Sequence, residues 1–133
     1  MDAERIAVAK ACLNAAHDGS LSFPEIIGKL VSAGFEGYAV DYRRNVQLYY
    51  LPDGDNIELG MPHSIVPVAA PFDSAGVEVL VRWAQANGPD YSYAIFCEKA
   101  KAAGCAGYLV SFIGRRVVYY GRTAETHVEL FPQ

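Results

Sequence analysis

The apolar residues of this chain follow two spacings in turn, one typical of helices and one typical of strands. Apolar side chains recur three and four positions apart in two early segments, which predicts amphipathic helices over residues 3–17 and 22–33. Apolar and polar residues then alternate, which predicts strands at residues 38–42, 46–50 and 57–59. After a segment with two prolines and no clear period, the same order returns. Helices are predicted from residue 73 and over 92–103, and strands at 108–112, 116–120 and 126–131.

An internal repeat underlies this order, because residues 22–50 align without a gap to residues 92–120. The glycines at 34 and 37 match those at 104 and 107, and the double tyrosine at 49–50 matches that at 119–120. After one shifted residue, Glu58 aligns with Glu129.

The repeat predicts an α+β fold with helices packed on one face of a mainly antiparallel sheet. Two tandem α-α-β-β-β repeats are expected to be related by a pseudo-twofold axis. A single domain covers residues 1–133, divided into repeat 1 (1–62), a linker (63–72) and repeat 2 (73–133).

Residues that could begin and end the helices lie at the expected places. Asp2 can cap the first helix, and Ser22 with Glu25 has the spacing of a capping box before the second. Gly34 is expected to end that helix in a left-handed conformation.

Agreement between the repeats predicts which face of the sheet is buried, since alternate residues of a strand point to opposite faces. The face under the helices is predicted to hold Tyr38/Tyr108, Val40/Val110, Tyr42/Phe112, Leu48/Val118, Tyr50/Tyr120, Ile57/Val128 and Leu59/Leu130. The opposite face is expected to be open. Its candidate binding residues are Asp41, Arg43, Tyr49, Glu58, Ser111, Tyr119, His127 and Glu129. Gln47, Ile113 and Val117 are predicted on the same face. Because it carries Ile113, Val117 and two tyrosines, we expect a ligand or another subunit to cover it.

Composition and charge narrow the classes of partner. The chain is 52% hydrophobic and 20% charged, as folded domains are, and its net charge is −4. No nucleic-acid partner is expected, because such binding needs a basic patch. The N-terminal segment lacks a continuous apolar stretch, and no later run could span a bilayer. We therefore expect a soluble, cytoplasmic protein without a signal peptide or a membrane partner.

The residues with reactive side chains do not form a recognisable catalytic motif. Cys12, Cys97 and Cys105 are widely spaced and are expected to be reduced and buried. His127 and Glu129 are two positions apart on one strand, but two ligands do not make a metal site, so no metal and no cofactor is expected. Glu58 and Glu129, aligned by the repeat, could form a carboxylate pair if the two halves bring them together.

Three functions stay open on these observations. The first is a non-catalytic module that binds a small molecule or a peptide on the open sheet face. The second is a homodimeric interaction module that uses the same face as its interface. The third, which we rank last, is an enzyme that uses Glu58, Glu129 or His127.

The stretch AGCAGYLVSFIGRRVVYYGRTAETHVELFP, residues 103–132, resembles the signature region of the YdfO/YbcV-like family. These are small, uncharacterised bacterial proteins, several encoded in prophages and often labelled phage envelope proteins. The resemblance covers nearly the whole chain and implies a compact α+β domain found alone. It carries no activity, cofactor or catalytic residue over to this sequence.

Overall fold

Four helices and six strands follow one another in the predicted order. The computed structural model describes residues 1–132, so the last residue of the predicted repeat 2, Gln133, lies outside the described residues. The first unit contains α1 (Ala3–Asp18), α2 (Phe23–Ser32), β1 (Gly37–Asp41), β2 (Val46–Tyr50) and β3 (Asn56–Gly60). The second contains α3 (Ser74–Ala86), α4 (Tyr93–Ala102), β4 (Cys105–Ser111), β5 (Arg116–Gly121) and β6 (Thr126–Leu130). The order α-α-β-β-β therefore occurs twice, and the α+β class is confirmed.

Each helix begins at a side chain that caps its free N–H groups. The Asp2 carboxylate accepts from the Arg5 N–H at 2.9 Å, and Ser22 forms a reciprocal capping box with Glu25. Asp73 and Ser92 cap α3 and α4 in the same way. None of the four helices, which all lie within residues 1–132, is long and apolar enough to cross a membrane.

The six strands form one antiparallel sheet in the order β3-β2-β1-β4-β5-β6. The two units meet where β1 pairs with β4, so the sheet is continuous across the repeat. In this pair Tyr38 faces Val110, and Val40 faces Tyr108. Residues 38 and 108 are equivalent in the repeat, as are residues 40 and 110. Each of the two strands is therefore paired with its own counterpart from the other unit. The pseudo-twofold relation between the complete units stays a prediction.

The repeated glycines Gly37 and Gly107 make the close approach of β1 and β4 possible. A Cβ atom on Gly37 would overlap the carbonyl oxygen of Val110, and one on Gly107 would overlap that of Val40. A glycine in a strand often marks such a close backbone approach. This explains why both copies of the repeat keep glycine here.

The helices cover one face of the sheet. In β2 and β5, however, the side chains that face the helices are the opposite set from the one predicted. Tyr38 pairs with Tyr49, and Tyr108 pairs with Tyr119. Directly opposed residues share a face, so Tyr49 and Tyr119 lie under the helices and are only 2% and 8% exposed. The prediction that they lie on the open face is wrong. The residues of β2 and β5 predicted to be covered, which instead lie on the open face, are Leu48, Tyr50, Val118 and Tyr120.

The length of the turns causes this difference. Four residues separate Asp41 from Val46, which pair across β1 and β2, and four separate Ser111 from Arg116 in the second unit. Because the number of turn residues is even, each even-numbered residue of one strand pairs with an odd-numbered residue of the next strand, and paired residues share a face. A change of one position in register moves every side chain of a strand to the other face.

The one-residue shift predicted between the third strands of the two units is also wrong. Glu58 pairs with Leu48, and Val128 pairs with Val118, so positions 70 apart stay equivalent through the whole sheet. Glu58 therefore corresponds to Val128 on the open face. Glu129 lies on the opposite face, under the helices, opposite Val117. The two glutamates are not equivalent and do not form the expected pair.

Further predictions about the covered face divide in the same way. Tyr42 is buried, and Phe112 and the β3 residues Ile57 and Leu59 pack against the core, as predicted. Val128 and Leu130, also predicted under the helices, lie on the open face and are 46% and 61% exposed.

Candidate functional site

The structure separates the eight candidate binding residues between two faces. Those on the open face of the sheet are Asp41, Glu58 and Ser111. Arg43 lies in the turn between β1 and β2. Those on the face under the helices are Tyr49, Tyr119, His127 and Glu129. The predicted single binding face is therefore not formed.

A cleft of about 610 Å³ lies between the helices and the sheet, where the two units adjoin. Its floor is the covered face of the sheet, which contributes four tyrosines: Tyr38, Tyr49, Tyr108 and Tyr119. One wall comes from α1 and α2 and the other from α3 and α4, with Ala16 and Ala84 among the wall residues. The size is that of sites which hold drug-sized ligands.

A chain of hydrogen bonds between uncharged groups crosses the cleft. The Tyr49 hydroxyl donates to Oε1 of Gln47 at 2.5 Å, and Gln47 Nε2 donates to the Tyr93 hydroxyl at 3.1 Å. The hydroxyl groups of Tyr93 and Tyr108 lie 2.5 Å apart. Gln47, which is 3% exposed, joins the two units because Tyr93 belongs to α4. Buried polar groups of this kind are stable when each has a partner.

The Tyr119 hydroxyl differs from those of Tyr49, Tyr93 and Tyr108 because it has no hydrogen-bond partner within residues 1–132. Tyr119 stacks at an angle beside Tyr108, with 5.3 Å between ring centroids, and lines the cleft. A hydroxyl can both donate and accept one or more hydrogen bonds. This group can therefore bind a polar atom of a ligand.

Burial keeps the tyrosine hydroxyls of the cleft protonated. Desolvation raises the pKa of Tyr38, Tyr49, Tyr108 and Tyr119 well above the usual value. At the mouth, burial and then the nearby Cys97 thiol raise the pKa of Tyr91 to about 12. The floor of the cleft is aromatic and uncharged at neutral pH, and tyrosinate is not available as a base.

Glu129 is the carboxylate that enters the cleft from β6. It binds the Arg82 guanidinium of α3 and lies 2.9 Å from Nε2 of His127. Burial alone would raise the pKa of Glu129, but the hydrogen bonds with His127 and Arg82 outweigh it and lower that pKa. Glu129 is therefore an ionised carboxylate whose charge is already paired.

The open face of the sheet has a different character. One row of residues crosses all six strands, with Glu58 at one end followed by Leu48, Ala39, Leu109, Val118 and Val128. Leu109 and Val128 are each 46% exposed. An apolar row of this length is a common feature of surfaces that contact another protein.

The described residues carry little that would support the enzyme hypothesis. Cys12, Cys97 and Cys105 are free and buried, as expected. Burial raises the pKa of Cys105 to about 11, so the thiolate that a nucleophile needs is scarce. No group of three or more histidines, cysteines or carboxylates within residues 1–132 could hold a metal ion.

Sequence reasoning missed Gln47, Tyr91 and Tyr93 as site residues. The signal for Gln47 was an amide inside an alternating apolar strand, which costs free energy unless it is hydrogen-bonded. The two tyrosines flank Ser92, the cap of α4, and their position over the sheet depends on helix packing.

No family model matches this chain, and a comparison with curated proteins gives no match either.

Proposed function

We propose that the protein binds a small, uncharged, largely aromatic molecule in the cleft between the helices and the sheet. The observation that carries the proposal is the aromatic lining of a 610 Å³ cleft in which the Tyr119 hydroxyl is unpaired within the described residues. Aromatic walls with a few convergent polar groups are typical of small-molecule sites. The membership of the YdfO/YbcV-like family remains a proposal beside it, and it adds no ligand.

The floor of the cleft supports an uncharged ligand over a charged one, although the Asp18 carboxylate at the end of α1 also lines the cleft. The floor carries neutral hydroxyl groups and an amide, and the Glu129 charge is paired with Arg82. A charged ligand would lose its hydration without gaining a free counter-charge on this floor. An aromatic ligand gains contacts with the tyrosine rings and a hydrogen bond at Tyr119.

Filling the cleft tests the proposal. Ala84→Leu places a larger side chain in the α3 wall, and Ala86→Leu is its control because Ala86 is exposed and does not line the cleft. Binding would be measured by NMR titration with phenol, indole and 2-naphthol, and native mass spectrometry would detect any retained molecule. We expect the wild type and Ala86→Leu to bind, and Ala84→Leu to lose binding while staying folded.

Tyr119→Phe should weaken binding about twofold to tenfold, since one neutral hydrogen bond contributes about 0.5–1.5 kcal/mol. The proposal fails if the wild type binds none of the three compounds and carries no added mass. It also fails if Ala84→Leu binds as well as Ala86→Leu.

Self-association through the open face is a second candidate, and the apolar residues that this row has on five neighbouring strands support it. The face carries Asp41 on the first unit and Arg116 on the second. These opposite charges let one copy place its first unit against the second unit of another. Opposed patches of opposite sign favour such an arrangement.

Leu109→Glu would place a charge at the centre of this face, and Val79→Glu is the control on the exposed side of α3. Sedimentation velocity should show a dimer for the wild type and for Val79→Glu, and a monomer for Leu109→Glu. A monomeric wild type at micromolar concentration would exclude this candidate.

A further inference from the structure

Lys101 is buried in a second cavity, away from the tyrosine-lined cleft. Only 3% of the residue is exposed, although it is a lysine on α4. The cavity measures about 290 Å³ and is bounded by the segment after β3, the turn between β1 and β2, and α4. Lysine is almost never fully buried unless its charge is paired.

The ammonium group of Lys101 has few partners for its charge. Nζ donates to Oγ of Ser64 at 2.6 Å, and it lies 6.0 Å from the centroid of the Tyr42 ring. An ammonium group has three donors, and no other acceptor contacts it within residues 1–132. None of the ion pairs of that part of the chain includes Lys101. Burying a charge without a counter-charge is strongly unfavourable.

A second cation, Arg43, lines the same cavity. The guanidinium of Arg43 forms no ion pair among the described residues, whereas that of its neighbour Arg44 binds Glu58 at 2.5 Å. No carboxylate lines the cavity. Its remaining wall includes Val66, Pro67 and Val68, which are apolar apart from their backbone. Two cationic residues therefore line one small cavity that has an apolar wall and no anion of its own.

We infer that this cavity binds a small organic anion through its carboxylate or phosphate group. Lys101 and the Ser64 hydroxyl would bind the oxyanion at the buried end, and Arg43 would bind it from the surface. Hydrogen bonds between ionised donors and acceptors are stronger than neutral ones, and a guanidinium matches the geometry of a carboxylate or a phosphate. The apolar wall at residues 66–68 would contact the rest of the ligand. This site is separate from the cleft and does not depend on the proposed function.

A pair of neighbouring arginines allows a closely matched test. Arg43→Gln removes a charge that lines the cavity, whereas Arg44→Gln removes the same charge from the same turn outside it. Binding of inorganic phosphate and of acetate to the full chain would be followed separately by NMR, at the backbone amides of Ser64, Val66 and Ala69. We expect one of the two anions to bind more tightly, which identifies the ligand group.

Arg43→Gln should weaken the binding of that anion about tenfold or more, since hydrogen bonds to charged groups contribute about 1.5–3 kcal/mol. Arg44→Gln should leave it unchanged. Lys101→Met should abolish binding, and if that variant does not fold, the arginine pair still decides the question. The inference is wrong if neither anion moves these amides at millimolar concentration. It is also wrong if both arginine variants weaken binding equally, since that result indicates attraction by general surface charge.

Discussion

Gly54 and Ala124 occupy the same position of two equivalent turns, residues 51–55 and 121–125, and both have a left-handed backbone, with φ of 92° and 66°. The Gly54 N–H donates to Leu51 O, and the Ala124 N–H donates to Gly121 O, at 3.0 Å in each turn. Glycine adopts this conformation freely, whereas a residue with a Cβ atom does so at a steric cost. The second turn is therefore strained where the first is not.

Ala124→Gly should raise the free energy of unfolding by about 1 kcal/mol, because it removes the steric cost of a left-handed alanine. Gly54→Ala should lower it by about the same amount. Urea unfolding followed by circular dichroism would measure both. Ala11→Gly, on the exposed side of α1, is the control and should destabilise the protein, since glycine is unfavourable inside a helix. A loss of stability in Ala124→Gly would show that the gain in chain entropy on unfolding outweighs the strain.

Tyr49 and Tyr50 are adjacent in β2 but point to opposite faces, so their phenylalanine variants should differ. Tyr49→Phe removes the donor to buried Gln47 and should lower the free energy of unfolding by about 1–2 kcal/mol. The Tyr50 hydroxyl forms no hydrogen bond with the residues that the structure describes, so Tyr50→Phe should change it by less than about 0.5 kcal/mol. Chemical denaturation of the two variants would measure the difference, and equal losses would contradict the assignment of the faces.

Glu129 should make stability depend on pH in the acid range. Its pKa is lowered in the folded protein, so the unfolded chain binds the proton more tightly. The stabilisation is complete above the unfolded value of about 4.3 and is lost as the pH falls through the folded pKa. Glu129→Gln should therefore cost about 1 kcal/mol or less at pH 7, because Arg82 is more than half exposed.

That difference between Glu129→Gln and the wild type should be smaller at pH 3 than at pH 7. Urea unfolding at the two pH values would measure it. Glu98→Gln, an exposed position on α4, is the control and should show no such change. A gap that widens on acidification would reverse the sign argued for Glu129.

The three cysteines should react with Ellman's reagent only when the protein unfolds. Cys12 and Cys105 are 1% and 0% exposed, and burial raises the pKa of both thiols. Thiolates are the reactive form, so low access and a high pKa both slow the reaction. We expect three thiols to be titrated in guanidinium chloride and almost none in buffer. Fast reaction of one thiol in the native state would indicate that its surroundings open frequently.

The sequence predicted the elements well because their signals are local. A cap such as Ser22 with Glu25, and a helix stop such as Gly34, act within a few residues of where they lie. The internal repeat then supplied a second copy of the same pattern, so the elements predicted in one unit supported those predicted in the other. The order and class of the elements needed no information from distant parts of the chain.

The buried faces of β2 and β5 were harder to predict, because the even-numbered and the odd-numbered positions of each strand carry similar residues. Tyr49 and Tyr50 are both tyrosines, and both match tyrosines in the second unit. Only the four-residue turn before β2 decides which of them is buried. The alignment of Glu58 with Glu129 was likewise misleading. The turns before β3 and β6 have equal length, so no residue is shifted between the two units.

The cleft and the Lys101 cavity depend on how helices, turns and the connecting segment pack together, and this packing has no local signal. One sign was available for Lys101, which follows Cys97 by four positions and so lies on the buried stripe of α4. A lysine in such a stripe indicates either a partner or a ligand. Its neighbours Ser64 and Arg43 are 37 and 58 positions away in sequence, beyond any motif.

The pairing of β1 with β4 has a consequence for any shortened form of this chain. A separated unit would end its sheet at β1 or β4 and would leave an unpaired row of backbone N–H and C=O groups. Residue 38 of β1 faces residue 110, the counterpart of residue 40, and residue 40 faces residue 108, the counterpart of residue 38. Each of these edges is therefore complementary to a second copy of itself. Proteolysis or truncation in the segment between β3 and α3 would therefore yield fragments that recombine by strand addition, with each other or with their own kind.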